Sequence, residues 1–251
     1  MLRRSVAHCF DYGSVTRSEM GTLGESNYRM FFHINNKLIS PFHDIPLNLC
    51  GKAHIPFVCE IPHERTEKME VLLSEKFNAI AQDQKNGAPR FLPIKPKFNY
   101  GMFPQTYENP EKECLVSGKL GDGDPVDVVD ITKNPLELGA VVPVRILGSF
   151  CFIDGGEADW KVIVSRTETD ELNKHVLGEM FGFFENYKGP DSGNYIMDGR
   201  KVFSVGDTMD IIQCAHENYR ELINSCRTTR SRGESEGRSS LHIWVPGGHS
   251  V

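Results

Sequence analysis

Between residues 27 and 39 apolar and polar side chains alternate, with Tyr28, Met30, Phe32 and Ile34 in step ahead of Asn35-Asn36-Lys37 and Leu38-Ile39. A period of two ending in asparagines predicts a hairpin with an Asn-rich turn. Phe57 to Pro62 begins a second predicted hairpin, whose return strand runs from Lys68 to Leu73. In that strand Lys68 and Glu70 share one face, and Met69 and Val71 share the other. Residues 80–91 read as a turn-rich link, and residues 141–152 as two strand-like runs. Gly155 and Gly156 then turn the chain into a strand with Asp159 and Lys161 on one face and Trp160, Val162 and Val164 on the core face. From there the period lengthens. Leu172, Val176, Met180, Phe183 and Tyr187 recur at helical spacing, which predicts a helix over 170–187 stopped by Pro190. A last helix, N-capped by Asp207, carries the stripe Ile211, Ala215, Tyr219 and Leu222. Strands first and helices late give an α+β class, mainly β.

Residues 1–25 and those from Cys226 onward keep no period, so they are expected to be flexible ends, apart from a docking of Leu241 to Pro246. No linker or repeat divides 26–225, which is expected to form one domain. Hydrophobic residues are 39% of the 251 and charged residues 25%, an ordinary globular balance. Acids outnumber bases by 34 to 28, and the net charge of -6 argues against a nucleic-acid partner. The 7 cysteines form no C-x-x-C pair, which suits reduced thiols in the cytoplasm. No apolar run is long enough for a membrane span. Arg3 and Arg4 ahead of Asp11 leave organellar import open, with a disordered start the simpler reading.

The candidate chemistry lies in Gly121-Asp122-Gly123-Asp124-Pro125-Val126-Asp127, a turn feeding a β-branched run. Asp122 and Asp124 fall on one side of an extended backbone, and Pro125 lets Asp127 rejoin them. An isolated D-x-D is most simply a solvated acidic loop. An EF-hand loop is excluded, because the third Asp stands at position six and proline at four. Carboxylates this close repel one another unless a cation lies among them, and a hard divalent ion is the usual one.

This stretch resembles the D-x-D-P-x-D signature of family I soluble inorganic pyrophosphatases, eukaryotic type, and further motifs follow over residues 27–223. Phe42-His43-Asp44-Ile45-Pro46-Leu47 resembles the segment that precedes the catalytic region, with His43 read as a packed or surface imidazole rather than a ligand. Glu60, Lys68 and Glu70 keep the family's spacing, and Arg90-Phe91 resembles its phosphate-binding arginine. Asn99-Tyr100-Gly101 through Pro104-Gln105-Thr106-Tyr107 resembles N-Y-G-x-x-P-Q-T-W. Asp154-Gly155-Gly156-Glu157-Ala158-Asp159-Trp160-Lys161 resembles D-E-G-E-x-D-W-K with glycine in place of the first Glu, and Tyr187-Lys188 resembles the Y-K pair. One departure concerns a tyrosine credited with protonating the leaving phosphate, where this chain has Pro96. Lys95, Lys97 or a metal-bound water are the substitutes.

The resemblance implies a five-stranded OB-like closed barrel with flanking hairpins and two helices in the C-terminal half. It implies Mg²⁺-dependent hydrolysis of pyrophosphate by in-line attack of water, with Mn²⁺ a possible substitute and a homodimer as the assembly. Asp122, Asp127, Asp154, Asp159 and Glu70 would bind metal with Glu60 behind them, Asp124 would be the base, and Tyr100 would join it in catalysis. Lys68, Arg90, Lys161, Tyr187 and Lys188 would hold phosphate. Three other readings compete: a two-metal phosphodiesterase or nucleotide hydrolase, a catalytically impaired scaffold that kept the barrel, and, weakest, an OB-type oligonucleotide binder.

Overall fold

The computed structural model describes residues 10–49, 54–188, 194–231 and 243–246. After a 3-10 turn at Tyr12–Ser14, strand β1 (Val15–Met20) pairs antiparallel with β2 (Arg29–Ile34), which returns as β3 (Lys37–Ile39). The hairpin turn falls on Asn35 and Asn36, at φ of 50° and 60°, a left-handed region that asparagine tolerates. Strand β1 corrects the expectation of a structureless start. It is an edge strand with mostly exposed side chains, so the backbone ladder holds it and the apolar pattern is faint.

Strand β4 (Ile55–Ile61) is buried along its whole length. The chain then gives β5 (Met69–Val71), β6 (Ile80–Gln82) and the small hairpin β7 (Gln84–Lys85) with β8 (Ala88–Pro89). The predicted pairing of β4 with β5 is not formed: β5 pairs with β6, which joins it to the β1–β2–β3 sheet. A strand buried on every face needs a neighbour on each side, and β4 finds them in β9 (Asn99–Met102) and in β11 (Val141–Asp154). The supposed link at 80–91 therefore holds a sheet strand and a hairpin that turns on Asn86-Gly87, both at positive φ.

After β10 (Asp127–Asp130), residues 141–154 form one strand, β11 (Val141–Asp154), rather than two runs, and a register shift between Ile146 and Gly148 accounts for the broken pattern. The two-residue loop Gly155-Gly156, at φ of 60° and 97°, reverses it into β12 (Glu157–Ser165). The pairings return on themselves. Strand β4 pairs with β9, β9 with β10, β10 in parallel with β12, β12 with β11, and β11 with β4.

Helix α1 (Lys174–Asn186) starts later than expected, because Asn173 caps it by accepting from the His175 and Val176 N–H groups. Asp170 instead accepts from Ser165 Oγ at 2.6 Å. Pro190, the expected stop, lies outside the described residues. After β13 (Tyr195–Ile196) and the single turn α2 (Met197–Arg200) comes α3 (Val205–Ser231). Its cap is Ser204, not Asp207: Asp207 N–H donates to Ser204 Oγ, and Ser204 N–H donates back to the Asp207 carboxylate, each at 3.2 Å. Helix α3 also runs past residue 225, where a tail was expected.

Phe57, Phe103, Val128, Trp160 and Val162 pack under Ile211, Ile212 and Ala215 of α3. Phe98, Phe150 and Phe152 pack under Met180, Phe181, Phe183 and Phe184 of α1. A third cluster joins Tyr28, Phe32, Phe42 and Val71 to Tyr219 and Val245. The expected docking near the C-terminus is present for residues 243–246, where Trp244 N–H donates to Leu73 O at 2.8 Å. Leu241 and His242 lie outside the described residues. His43 is buried, its ring bonded to Tyr219 Oη and Trp244 O, a packed imidazole away from the acids.

Candidate active site

A cavity of about 750 Å³ opens where the ring of strands meets β5 and the end of α1. All of the expected site residues line it: Glu60, Lys68, Glu70, Arg90, Tyr100, Asp122, Asp124, Asp127, Asp154, Asp159, Lys161, Tyr187 and Lys188. They come from β4, β5, the exit of β8, β9, the loop before β10, β10 itself, the β11–β12 corner, β12 and the end of α1. Lys95 and Lys97, the candidate substitutes for the absent tyrosine, are not part of this wall. Lys97 pairs with Glu64 on the surface at 2.5 Å.

The acidic loop is shaped by close approach. A Cβ on Gly121 would stand 2.3 Å from the Glu108 carbonyl carbon, and Gly123 holds φ of 88°, so glycine is needed at both. Glu108 N–H donates to Asp124 O at 2.9 Å, Gly123 N–H donates to Glu108 O at 2.8 Å, and Asp124 N–H closes on Asp122 Oδ1 at 3.0 Å. These bonds fix where Asp122 and Asp124 leave the backbone.

Strand pairing supplies the rest. Asp127 stands beside Lys161 in the parallel β10–β12 pair, and Asp159 precedes Lys161 by two on the same face. The Lys161 ammonium, 2% exposed, bonds both carboxylates and lies 3.1 Å from Tyr100 Oη, while Tyr100 donates to Asp127. Burial pulls the Lys161 pKa down, but Asp127 and Asp159 override it and hold the pKa well above its ordinary value. Desolvation and the Asp127 charge push the Tyr100 phenol up, so it keeps its proton. Glu60 accepts from Val71 N–H at 2.7 Å, which ties the acid on β4 to β5. Lys188 pairs with Asp154, which Asn194 Nδ2 also reaches at 2.9 Å.

Two residues at the site escaped the sequence reading. Asp83, just after β6, accepts from both Lys68 and Arg90. Glu108, 6% exposed, brings an oxygen within 4.8 Å of oxygens of Asp122 and Asp159. Glu108 Oε2 is buried with no hydrogen-bond partner among the described residues. For Glu108 the one available signal was an acid directly after the Pro-Gln-Thr-Tyr run; for Asp83 there was none.

The acids raise one another. Desolvation by the cavity walls, then Asp124 and Asp127, push Asp122 up to about 8; the same walls, then Glu70 and Asp127, push Asp124 to about 7. Asp159, Glu60 and Glu108 are raised as well, burial being the largest cause for each. Crowded carboxylates with an unsatisfied carboxylate oxygen among them form an all-oxygen donor set, which fits a hard divalent cation.

Acids of a kind that suits divalent cations stand here beside Lys68, Arg90, Lys161 and Lys188, groups of a kind that suits a small phosphate-bearing anion. The family model described as inorganic pyrophosphatase matches residues 57–220. The soluble inorganic pyrophosphatase 1, chloroplastic, of Chlamydomonas reinhardtii is 37% identical over 223 residues, covering 83% of this chain and 79% of the relative. The crystal structure of type I inorganic pyrophosphatase from Toxoplasma gondii superposes with a TM-score of 0.76 at 35% identity, over 83% of this chain and 99% of that one. An N-terminally truncated Trypanosoma cruzi vacuolar soluble pyrophosphatase in complex with PPi gives 0.75 at 29% identity, over 83% and 90%. The chain belongs to the inorganic pyrophosphatase family.

Proposed function

We propose that this chain hydrolyses inorganic pyrophosphate to two orthophosphates, with Mg²⁺ as the working ion and Mn²⁺ able to replace it. The observation that carries the reading is the convergence of Asp122, Asp127 and Asp159 with Lys68, Arg90 and Lys188 on one cavity. Asp122, Asp127, Asp154, Asp159 and Glu70 hold the ions, with Glu60 and Glu108 behind them. When bound, such ions lower the pKa of water and offset phosphate charge. Asp124 accepts the proton of the attacking water. Tyr100 keeps one Asp127 oxygen engaged and so orients the carboxylate. Arg90, Lys68, Lys161, Tyr187 and Lys188 grip the phosphate oxygens and balance charge as the bridging P–O bond breaks, with attack in line and no covalent phosphoenzyme.

The closed circuit of pairings supports a five-stranded OB-like barrel, with the pyrophosphatase domain over 26–225. We assign a homodimer, which sedimentation equilibrium tests. The free thiols among the described residues, Cys59 and Cys151 buried among them, favour a reducing compartment, taken here as the cytoplasm. Relatives include chloroplastic and mitochondrial forms, and no described helix is long and apolar enough to cross a membrane.

Hydrolysis of pyrophosphate, ATP and a dinucleotide by the purified full chain, with Mg²⁺ and with chelator, read as orthophosphate and as nucleotide products, tests the activity. Preferred, Mg²⁺-dependent release from pyrophosphate is expected. Faster cleavage of the dinucleotide to nucleotide and nucleoside would favour a phosphodiesterase. Pro96, with Lys95 and Lys97 off the cavity wall, supports the second reading, an impaired pyrophosphatase-like scaffold. Silence toward pyrophosphate in the Mg²⁺-loaded chain would establish it.

A further inference from the structure

Residues 243–246 reach the active site from the far end of the chain. Ile243 lines the catalytic cavity beside Leu72, Leu73 and Ser74. Its neighbours are held from three directions. Trp244 N–H donates to Leu73 O at 2.8 Å. Trp244 O accepts from His43 Nε2 at 2.7 Å, which leaves His43 Nδ1 to accept from Tyr219 Oη at 2.9 Å. The indole packs on Phe77 with 4.9 Å between ring centroids, and Val245, 2% exposed, sinks into the cluster of Phe42, Tyr219 and Ile223. The segment is thus clamped to the β5–β6 sheet and to α3 at once.

This stretch of wall differs from the rest. The acids and bases of the cavity are interleaved with Ile61, Met69, Val71, Met102 and Pro125, whereas here two leucines and an isoleucine come together with no charged group among them and Ser74 as their one hydroxyl. We infer that Ile243, seated by this C-terminal strap, is a specificity-determining residue that confines the site to two-phosphate anhydrides and disfavours longer ones such as tripolyphosphate. The inference rests on the pyrophosphate reading above. A third phosphate carried past the cationic groups onto this stretch would give up water for a surface whose one side-chain donor is the Ser74 hydroxyl, a costly exchange for an anion. Discrimination of this kind depends on the shape of the wall, so it responds to the removal of a few methyl and methylene groups.

The test compares kcat/KM for tripolyphosphate and for pyrophosphate, both with Mg²⁺, in the full chain and in Ile243→Ala, Ile243→Val and Trp244→Ala, with a thermal melt of each. In Ile243→Ala the ratio of tripolyphosphate to pyrophosphate is expected to rise about tenfold. Trp244→Ala, which loosens the clamp but keeps the isoleucine, should move the ratio in the same direction, and Ile243→Val should stay near the parent. A ratio that stays at the parent's value in both alanine variants overturns the inference, and so does an equal loss on both substrates with a lowered Tm, which marks a structural role. If the parent cleaves neither anhydride, the pyrophosphate reading falls and this inference with it. If the parent cleaves pyrophosphate and the ratio does not move, only this inference falls.

Discussion

The Asp83 carboxylate receives the Lys68 ammonium at 2.7 Å, and the same oxygen receives the Arg90 guanidinium at 2.5 Å. Asp83 N–H also donates to Lys68 O, and Arg90 N–H to Asp83 O, so one aspartate sets the aim of the two cations proposed to hold phosphate. Asp83→Asn keeps the shape and removes the charge. Loss of a charge-assisted bond of about 1.5–3 kcal/mol should raise KM for pyrophosphate at least about tenfold with a smaller change in kcat. Steady-state kinetics check it, and a fall in kcat at constant KM would remove Asp83 from the positioning role.

Asp124→Asn should leave Mg²⁺ binding and the melting temperature near the parent values. Turnover of pyrophosphate should drop by about 10²–10⁴-fold, the cost of a lost general base. Turnover at the parent level would take Asp124 out of that role.

Metal and pH are coupled through the acids. Asp122 at about 8 and Asp124 at about 7 hold protons more tightly in the folded chain than an ordinary carboxyl does. In the metal-free protein their contribution to stability is therefore complete below the usual carboxylate range and is lost as pH rises through those values. Calorimetry of the metal-free chain should show Tm falling between about pH 5 and pH 8, and saturating Mg²⁺ should raise Tm more at the upper end. A Mg²⁺ shift independent of pH would separate these acids from the metal.

Gly101 lies where β9 crosses β4. A Cβ there would stand 1.9 Å from Val58 O and 2.8 Å from Glu60 N, both backbone atoms that cannot step aside. Gly101→Ala should cost at least the ~1–3 kcal/mol typical of overpacking and displace Glu60 and Tyr100 together. A lowered melting temperature with lost turnover is the expected pair of readings. A stable, active variant would show that the two strands can part.

Asp159 and Lys161 were legible because a period of two places them on one face while Trp160 and Val162 take the other, and Asp127 because Pro125 returns it to the acids at 122 and 124. The partner of β5 was not, since Pro62 to Glu67 looks like a hairpin turn to any local reading, and the need of β4 for neighbours on both sides is met by strands much later in the chain. Asp83 sits in Gln82-Asp83-Gln84-Lys85, which has the composition of a solvated turn, and its burial depends on Lys68 and Arg90 arriving together. Glu108 is hidden for a related reason: it meets Asp122 and Asp159 only once the acidic loop folds back over it. The Ser204–Asp207 cap has a local signature, a serine three residues ahead of an acid, in which the serine rather than the acid caps the helix.

Strand β12 deals its residues alternately to two customers, acid and amine to the cavity side, indole and valine to the oily one, and it is paired on both of its edges. A change of one residue at the Gly155-Gly156 corner would reverse that parity along the strand, turning the Trp160 ring toward the cavity and the Lys161 ammonium into the hydrocarbon. Length changes there can be absorbed only in steps of two, so the corner should tolerate substitution far more readily than a single insertion or deletion.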